Sequence, residues 1–237
     1  SVHIGNSHKA VQLILENEKD SSNELQFPIS EEEYLRLREK YNITDWTLSG
    51  AFYGSKQLVK SKLVELKKGM STTPYKIFML DHKKLFILKH LKDFLNKNGI
   101  GKIISTAVSR FSFFSSDINN LNMLKNLEEL FFLKQGKPSN HFMNSTYFKK
   151  DINYNVDYLD PNVDNVGLIW LSPVASIEGK CSLEIINLVT PIVTKFGFEP
   201  TFSITLLTET SMDVVISLIF DRDLTGEDEK AVLCHDQ

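Results

Sequence analysis

The chain has 237 residues, 42% of them hydrophobic, enough for one large soluble domain or two small ones. Twenty-seven basic side chains stand against 30 acidic ones, and a net charge of -3 argues against a nucleic-acid binder with its basic face. No apolar run reaches ~18 residues and no signal-peptide or lipidation pattern occurs, so neither membrane insertion nor export is indicated.

The first predicted element is a helix from about Ser7 to Asn17, with Val11, Ile14 and Leu15 along one side. After a polar link, Ser30 and Glu33 form a capping box: the serine oxygen accepts an early helix N–H and Glu33 reaches back. That helix should end near Tyr41. Trp46 to Tyr53 alternates large and small residues and reads as a strand closed by Gly54, with Trp46 in the core. Ser55 can cap a helix carrying Leu58, Val59, Leu63 and Leu66. A second strand is expected over 74–80, and Asp81 can cap a helix through Leu85, Leu88, Leu91 and Leu95. Lysines at 60, 62, 67 and 68, and at 83, 84, 89 and 92, fall beside these apolar positions and read as solvated helix faces. A helix from about Ile118 to Lys134 should break at Gln135–Ser139, and Asn153 to Asn165 is loop-like.

The last third has the clearest pattern. Val166 to Val174 (VGLIWLSPV) is a buried strand that stops on Ser172–Pro173, because proline cannot donate to a ladder. A helix over Ser182 to Phe196 follows, kinked or begun late because of Pro191. Strands at Thr201–Thr208 and Met212–Phe220 precede a final helix from about Gly226. This β-α-β-β-α order is a split ferredoxin-like unit. The expected fold is a single α+β domain over 1–237, a mostly antiparallel sheet with helices on one face.

Chemistry-bearing motifs are sparse. There is no GxGxxG, no Walker motif and no other Gly-rich phosphate loop, so a dinucleotide pyrophosphate has no evident cradle. Cys181 and Cys234 show neither metal spacing nor a disulfide framework and suggest a reduced, cytoplasmic protein. His82 and His90 stand too far apart to share a metal; His141 reads as structural, and Cys234–His235 lies at a terminus that cannot hold geometry. The acids Asp221, Asp223, Glu227, Asp228 and Glu229 sit where they favour a helix N-terminus.

Several segments in order resemble the vanillyl-alcohol oxidase and p-cresol methylhydroxylase family of flavoenzymes. They are Trp46–Gly54 (WTLSGAFYG), Gly136–Ser139 (GKPS) followed by Tyr147–Phe148, the VGLIWLSPV strand, Gly197–Phe198, Met212, and Phe220–Arg222. The resemblance covers most of the chain, is weakest between Leu80 and Asn120, and falls on the family's cap, or substrate-binding, domain. It implies part of an FAD-dependent oxidoreductase that oxidises a phenolic or small aromatic alcohol by hydride transfer to flavin. FAD would be held mainly by an FAD-binding domain or subunit outside this chain, which by itself would be inactive.

Carried over residue by residue, the resemblance makes Trp170, Val174, Ile204 and Val215 walls of an aromatic-substrate cavity. It sets Leu168 and Asp213 on the cofactor side. Where one branch of the family attaches FAD through a histidine this chain has Leu168, so a noncovalent flavin is implied. Asp213–Val214 replaces that branch's paired histidines, which changes the local charge. Each apolar position has a competing reading as ordinary strand core. A second function remains open: a noncatalytic ligand-binding or subunit-interaction module built on the same sheet. A cap without its partner would expose an apolar face, so self-association into a homo-oligomer is expected. No metal and no nucleic-acid partner is indicated.

Overall fold

Alternation of apolar residues along the last strands generates the sheet that organises the molecule. The computed structural model describes residues 2–11, 27–41, 43–73, 77, 79–87, 90, 121–150 and 159–237. Two compact units emerge where the sequence reads as one domain: Ser1–Gly50 with Asn140–Gln237, and Ala51–Ser139.

The first unit holds six strands: β1 (Val2–Asn6), β2 (Trp46–Gly50), β3 (Val166–Leu171), β4 (Val174–Ser176), β5 (Thr201–Leu206) and β6 (Ser211–Asp221). Their order is β2-β1-β5-β6-β3, with β4 also paired to β6, and every pairing is antiparallel. β6 is central and long because Met212, Val214, Ile216, Leu218 and Phe220 all reach one buried cluster. β3 and β4 are one edge strand interrupted at Ser172–Pro173. Leu171 opposes Ile216 and Val174 opposes Asp213, so the register is unbroken. Val214 N–H still donates to Pro173 O at 3.0 Å, but proline has no N–H to return.

Two helices cover the first face of this sheet: α4 (Gly179–Lys195) and α5 (Glu227–His235). Ile185, Ile186, Val189 and Ile192 of α4, with Ala231 and Cys234 of α5, pack on Phe198, Phe202, Ile204 and the even-numbered side chains of β6. On the second face, α1 (Glu31–Lys40) supplies Tyr34 and Leu37, which meet Val11, Ile29, Phe148 and Ile219. That second cluster covers only the end of the face where β6 finishes. A Cβ built on Gly167 would overlap the Phe220 ring, so glycine is needed opposite Phe220.

In the second unit, α2 (Lys56–Gly69) is capped by Ser55, whose Oγ accepts Leu58 N–H at 3.3 Å. Residues 82–87 are helical, with Asp81 Oδ1 accepting Lys84 N–H at 2.8 Å. α3 (Leu121–Leu133) stops before Gly136, whose φ of 78° suits glycine.

The α+β class, the antiparallel sheet and the β-α-β-β-α ending agree with the sequence pattern. The cap at Ser30 also forms, accepting Glu33 N–H at 3.3 Å, while the Glu33 carboxylate takes two hydrogen bonds from Arg36. Four expectations need correction. β1 was missed, because five residues that include a glycine carry little pattern. α4 starts at Gly179, three residues before the expected Ser182, and runs through Pro191; burial of its apolar side outweighs one missing N–H. Trp46 is 40% exposed on the edge strand β2 instead of being core. Ile77, Met79 and Leu80 are not in a strand; the rest of 74–80 lies outside the described residues, as do 12–17, Leu88, Leu91 and Leu95.

Candidate functional site on the second sheet face

Side chains on one face of an antiparallel sheet lie opposite one another across the strands, so the registers assign each residue to a face. Trp170 opposes Ser217, Leu168 opposes Ile219 and Val174 opposes Asp213, while Val215 opposes Ser203 and Asp213 opposes Thr205. All of these belong to the second face. One row runs Ser49–His3–Thr205–Asp213–Val174, and the next runs Thr47–Gly5–Ser203–Val215.

The structure therefore gathers five of the six residues singled out in the sequence: Leu168, Trp170, Val174, Asp213 and Val215. Ile204 does not join them. It opposes Val214, is 4% exposed and packs in the cluster beneath α4 and α5. Strand alternation makes the reason plain, since Ile204 is an odd number of positions from Ser203 and Thr205.

The exposures are informative. Trp170 and Val174 are each 65% exposed and Leu168 is 39% exposed. Three apolar side chains on an edge strand would gain by being covered, at roughly 25 cal/mol per Å² of apolar area removed from water. Val215, Asp213, Ser203 and Thr205 are half-buried. Polar groups interleave with this apolar strip. Ser172 Oγ donates to Asp213, and His3 Nδ1 lies 3.0 Å from Thr205 Oγ1. The face can thus hold a flat apolar group while offering donors and acceptors along one side.

Sequence reasoning missed His3, Thr205 and Lys9. The signal was present in β1, where the alternation His3–Gly5 marks one face, but without the strand no register could be written. The Lys9 side chain lies over Gly5: a Cβ placed there would meet Lys9 Cδ at 3.8 Å. Burial lowers the Lys9 pKa from its ordinary value.

The floor of the site is fixed by two buried polar anchors. Asn6 accepts Phe202 N–H and Lys9 N–H, both at 3.1 Å, and its Nδ2 donates to Pro200 O at 2.9 Å. Glu199, also buried, contacts His8 Nδ1 at 2.5 Å and accepts Ile29 N–H at 2.9 Å. At the far end of β6, buried Lys150 donates to Asp221 and, at 2.6 Å, to Asp223. Burial pulls its pKa down, but these two carboxylates more than offset that and hold it above the ordinary lysine value.

A separate apolar cavity of about 200 Å³ lies on the first face, between α4, α5 and the sheet, lined by Leu171, Leu188, Ile192, Ile216 and Cys234. None of the predicted residues borders it. Among the described residues no cluster of His, Cys, Asp and Glu could hold a metal ion, both cysteines are free thiols, and no helix is long and apolar enough to cross a membrane.

No family model matches the chain. A stretch of 100 residues is 32% identical to a 1'-carboxy-chondrochloren decarboxylase of Chondromyces crocatus, covering 42% of this chain and 18% of that protein. Among solved structures, 4-ethylphenol oxidase from Gulosibacter chungangensis, in complex with isoeugenol, superposes with a TM-score of 0.64 at 12% identity, over 98% of this chain and 35% of that one. A substrate-bound p-cresol methylhydroxylase gives 0.59 at 12% identity, over 100% and 36%. The chain thus spans about a third of the solved structures it matches. It shares its fold with about a third of 4-ethylphenol oxidase and of p-cresol methylhydroxylase.

Proposed function

We propose that this chain is the substrate-side cap of an FAD-dependent oxidoreductase acting on a phenolic or small aromatic alcohol. The carrying observation is the exposed strip of Trp170, Val174 and Leu168 on a sheet face that also bears Val215 and Asp213. Flavin would be held mainly by an FAD-binding domain or subunit. The fold shared with 4-ethylphenol oxidase and p-cresol methylhydroxylase supports this reading. The curated relative is named for a carboxylated compound, so an acid group on the substrate fits that relationship too.

Bound flavin would supply the electron chemistry, accepting a hydride from the benzylic carbon while the phenolic proton leaves to solvent or a base. The chain's own residues do the rest. Trp170, Val174 and Val215 hold the aryl ring flat and exclude water from the reacting carbon. Leu168 would offer a bound flavin an aliphatic contact and, lacking a nucleophile, no covalent bond at that position. Asp213, held by Ser172, places a carboxylate beside the ring pocket. Free thiols accord with a cytoplasmic location.

A second reading is favoured by the same exposed strip: a noncatalytic module whose sheet face binds a ligand or subunit. One titration separates the two. The chain carries two tryptophans, so Trp46→Phe leaves Trp170 as the sole reporter. Oxidised FAD, free and bound to a family FAD-binding domain, is titrated with this variant in the presence of 4-ethylphenol, because the cap reading puts most flavin contacts on that domain. Quenching of both flavin and tryptophan emission is expected for the oxidase cap. A tryptophan response without a flavin response would favour the binding module, and silence from both would overturn the site.

A further inference from the structure

The sheet face contains a cation that the proposed chemistry does not use. Lys9 folds back from the end of β1 and lies over Gly5, on the same face as Val215. Gly5 opposes Ser203 and Thr47, and one row along stand His3 and Thr205, so hydroxyl groups surround the place where the lysine stem crosses the sheet. Burial alone accounts for its depressed pKa: among the described residues no carboxylate is close enough to restore it, and no acceptor bonds its Nζ. The contrast with Lys150 is instructive, because that buried ammonium is held by two aspartates. Lys9 is half-buried, and a cation drawn partly out of water without a partner is costly, so such a group is retained where something anionic completes it.

The spacing identifies the partner's shape. Gly5 and Val215 lie two strands apart, which is about 10 Å, with Trp170 on the far side of Val215. An aromatic ring resting on Val215 and Trp170 would point a substituent of one or two atoms back toward Lys9. The negatively charged Asp213 lies on the next row, toward Val174, so the attraction is greatest on the Lys9 side.

We infer that Lys9 is the anchor for a carboxylate on the aromatic ligand, so that the substrate class of this site is an aryl acid rather than a neutral phenol. This rests on the reading of the face as an aromatic-substrate site. The ammonium makes a charge-assisted hydrogen bond to the carboxylate, with the Ser203 hydroxyl as an available second donor.

The test is calorimetric titration of the 237-residue chain with 4-hydroxyphenylacetate and, separately, with its neutral amide. The acid is expected to bind at least ~10-fold more tightly than the amide, the increment typical of a hydrogen bond to a charged group. Lys9→Met should bring the ratio to about 1 while leaving amide affinity unchanged, which also shows that the site remains folded. Lys9→Arg should keep the preference. An acid preference that survives Lys9→Met, or equal binding of acid and amide by the unaltered chain, overturns the anchor and leaves the aromatic site standing. If neither compound binds the unaltered chain, the aromatic-site reading fails and the anchor fails with it.

Discussion

Trp170 and Ile204 sit on strands of the same sheet, yet substituting them should have opposite consequences. Ile204→Ala empties a buried position and should cost about 2–5 kcal/mol of folding stability, read as a lower urea midpoint. Trp170→Ala removes a side chain that is mostly in water, so its stability change should stay within ~0.5 kcal/mol while the binding of aromatic ligands is lost. Titratable residues allow a second residue-scale prediction. Lys149 lies near the rings of Phe27 and Phe198 and donates to Gly197 O at 3.2 Å. Burial lowers its pKa to about 8, with Lys230 adding to the effect and Glu227 and Glu199 opposing it. Between about 8 and the ordinary lysine value of 10.5 the unfolded chain binds a proton that the folded chain does not. Stability from this group therefore rises with pH across that window. Denaturation midpoints at several pH values should show the rise, and Lys149→Met should remove its part of it. Asp223 acts at the other end of the scale. Hydrogen bonds from Lys150 and Asn165 hold its carboxyl below the usual aspartate value, so its contribution is present at neutral pH and disappears as pH falls through that lowered pKa.

At the scale of elements, the edge strand is the informative case. β3 and β4 share one register along β6 and are separated only by the missing N–H of Pro173. Pro173→Ala should supply that donor to Val214 O and fuse the two into one strand. Slower amide hydrogen exchange at Val214 and its neighbours would show this; unchanged exchange would mean that the interruption has another cause. Gly167, four residues from Leu171, is constrained from the opposite side by the Phe220 ring. Gly167→Ala should cost about 1–3 kcal/mol through overpacking, measurable as a shift in thermal midpoint. Elements with strong local signals were legible in the sequence: Ser30 and Ser55 announce two helices, and Val166–Leu171 and Ser211–Asp221 carry long apolar runs. β1 and the start of α4 were not. β1 is too short to show a period, and α4 tolerates Pro191 only because tertiary burial compensates for it, a trade no local pattern displays.

For the molecule as a whole, the exposed edge of the second sheet face sets the expected behaviour. Trp170, Val174 and Leu168 form an apolar edge, so the isolated chain should self-associate with rising concentration. Sedimentation velocity should reveal a concentration-dependent coefficient, and Trp170→Glu should return it to that of a monomer. A clean monomer for the unaltered chain over a wide range would count against this. The sequence by itself determined the α+β class and the order of the last five elements, while the candidate site residues came from the family resemblance. The class and the order follow from periodicity, capping and punctuation, all of which act between residues near one another in the chain. Only the tertiary structure decided which face each residue occupies. Ile204 went to the core and Trp46 to the surface, while Lys9 and His3 joined the face of candidate residues that lie about 160 and more positions away in sequence. The physical reason is strand register: with a period of two, a single-residue shift exchanges the faces, and register is set by long-range pairing and burial rather than by any local run of residues.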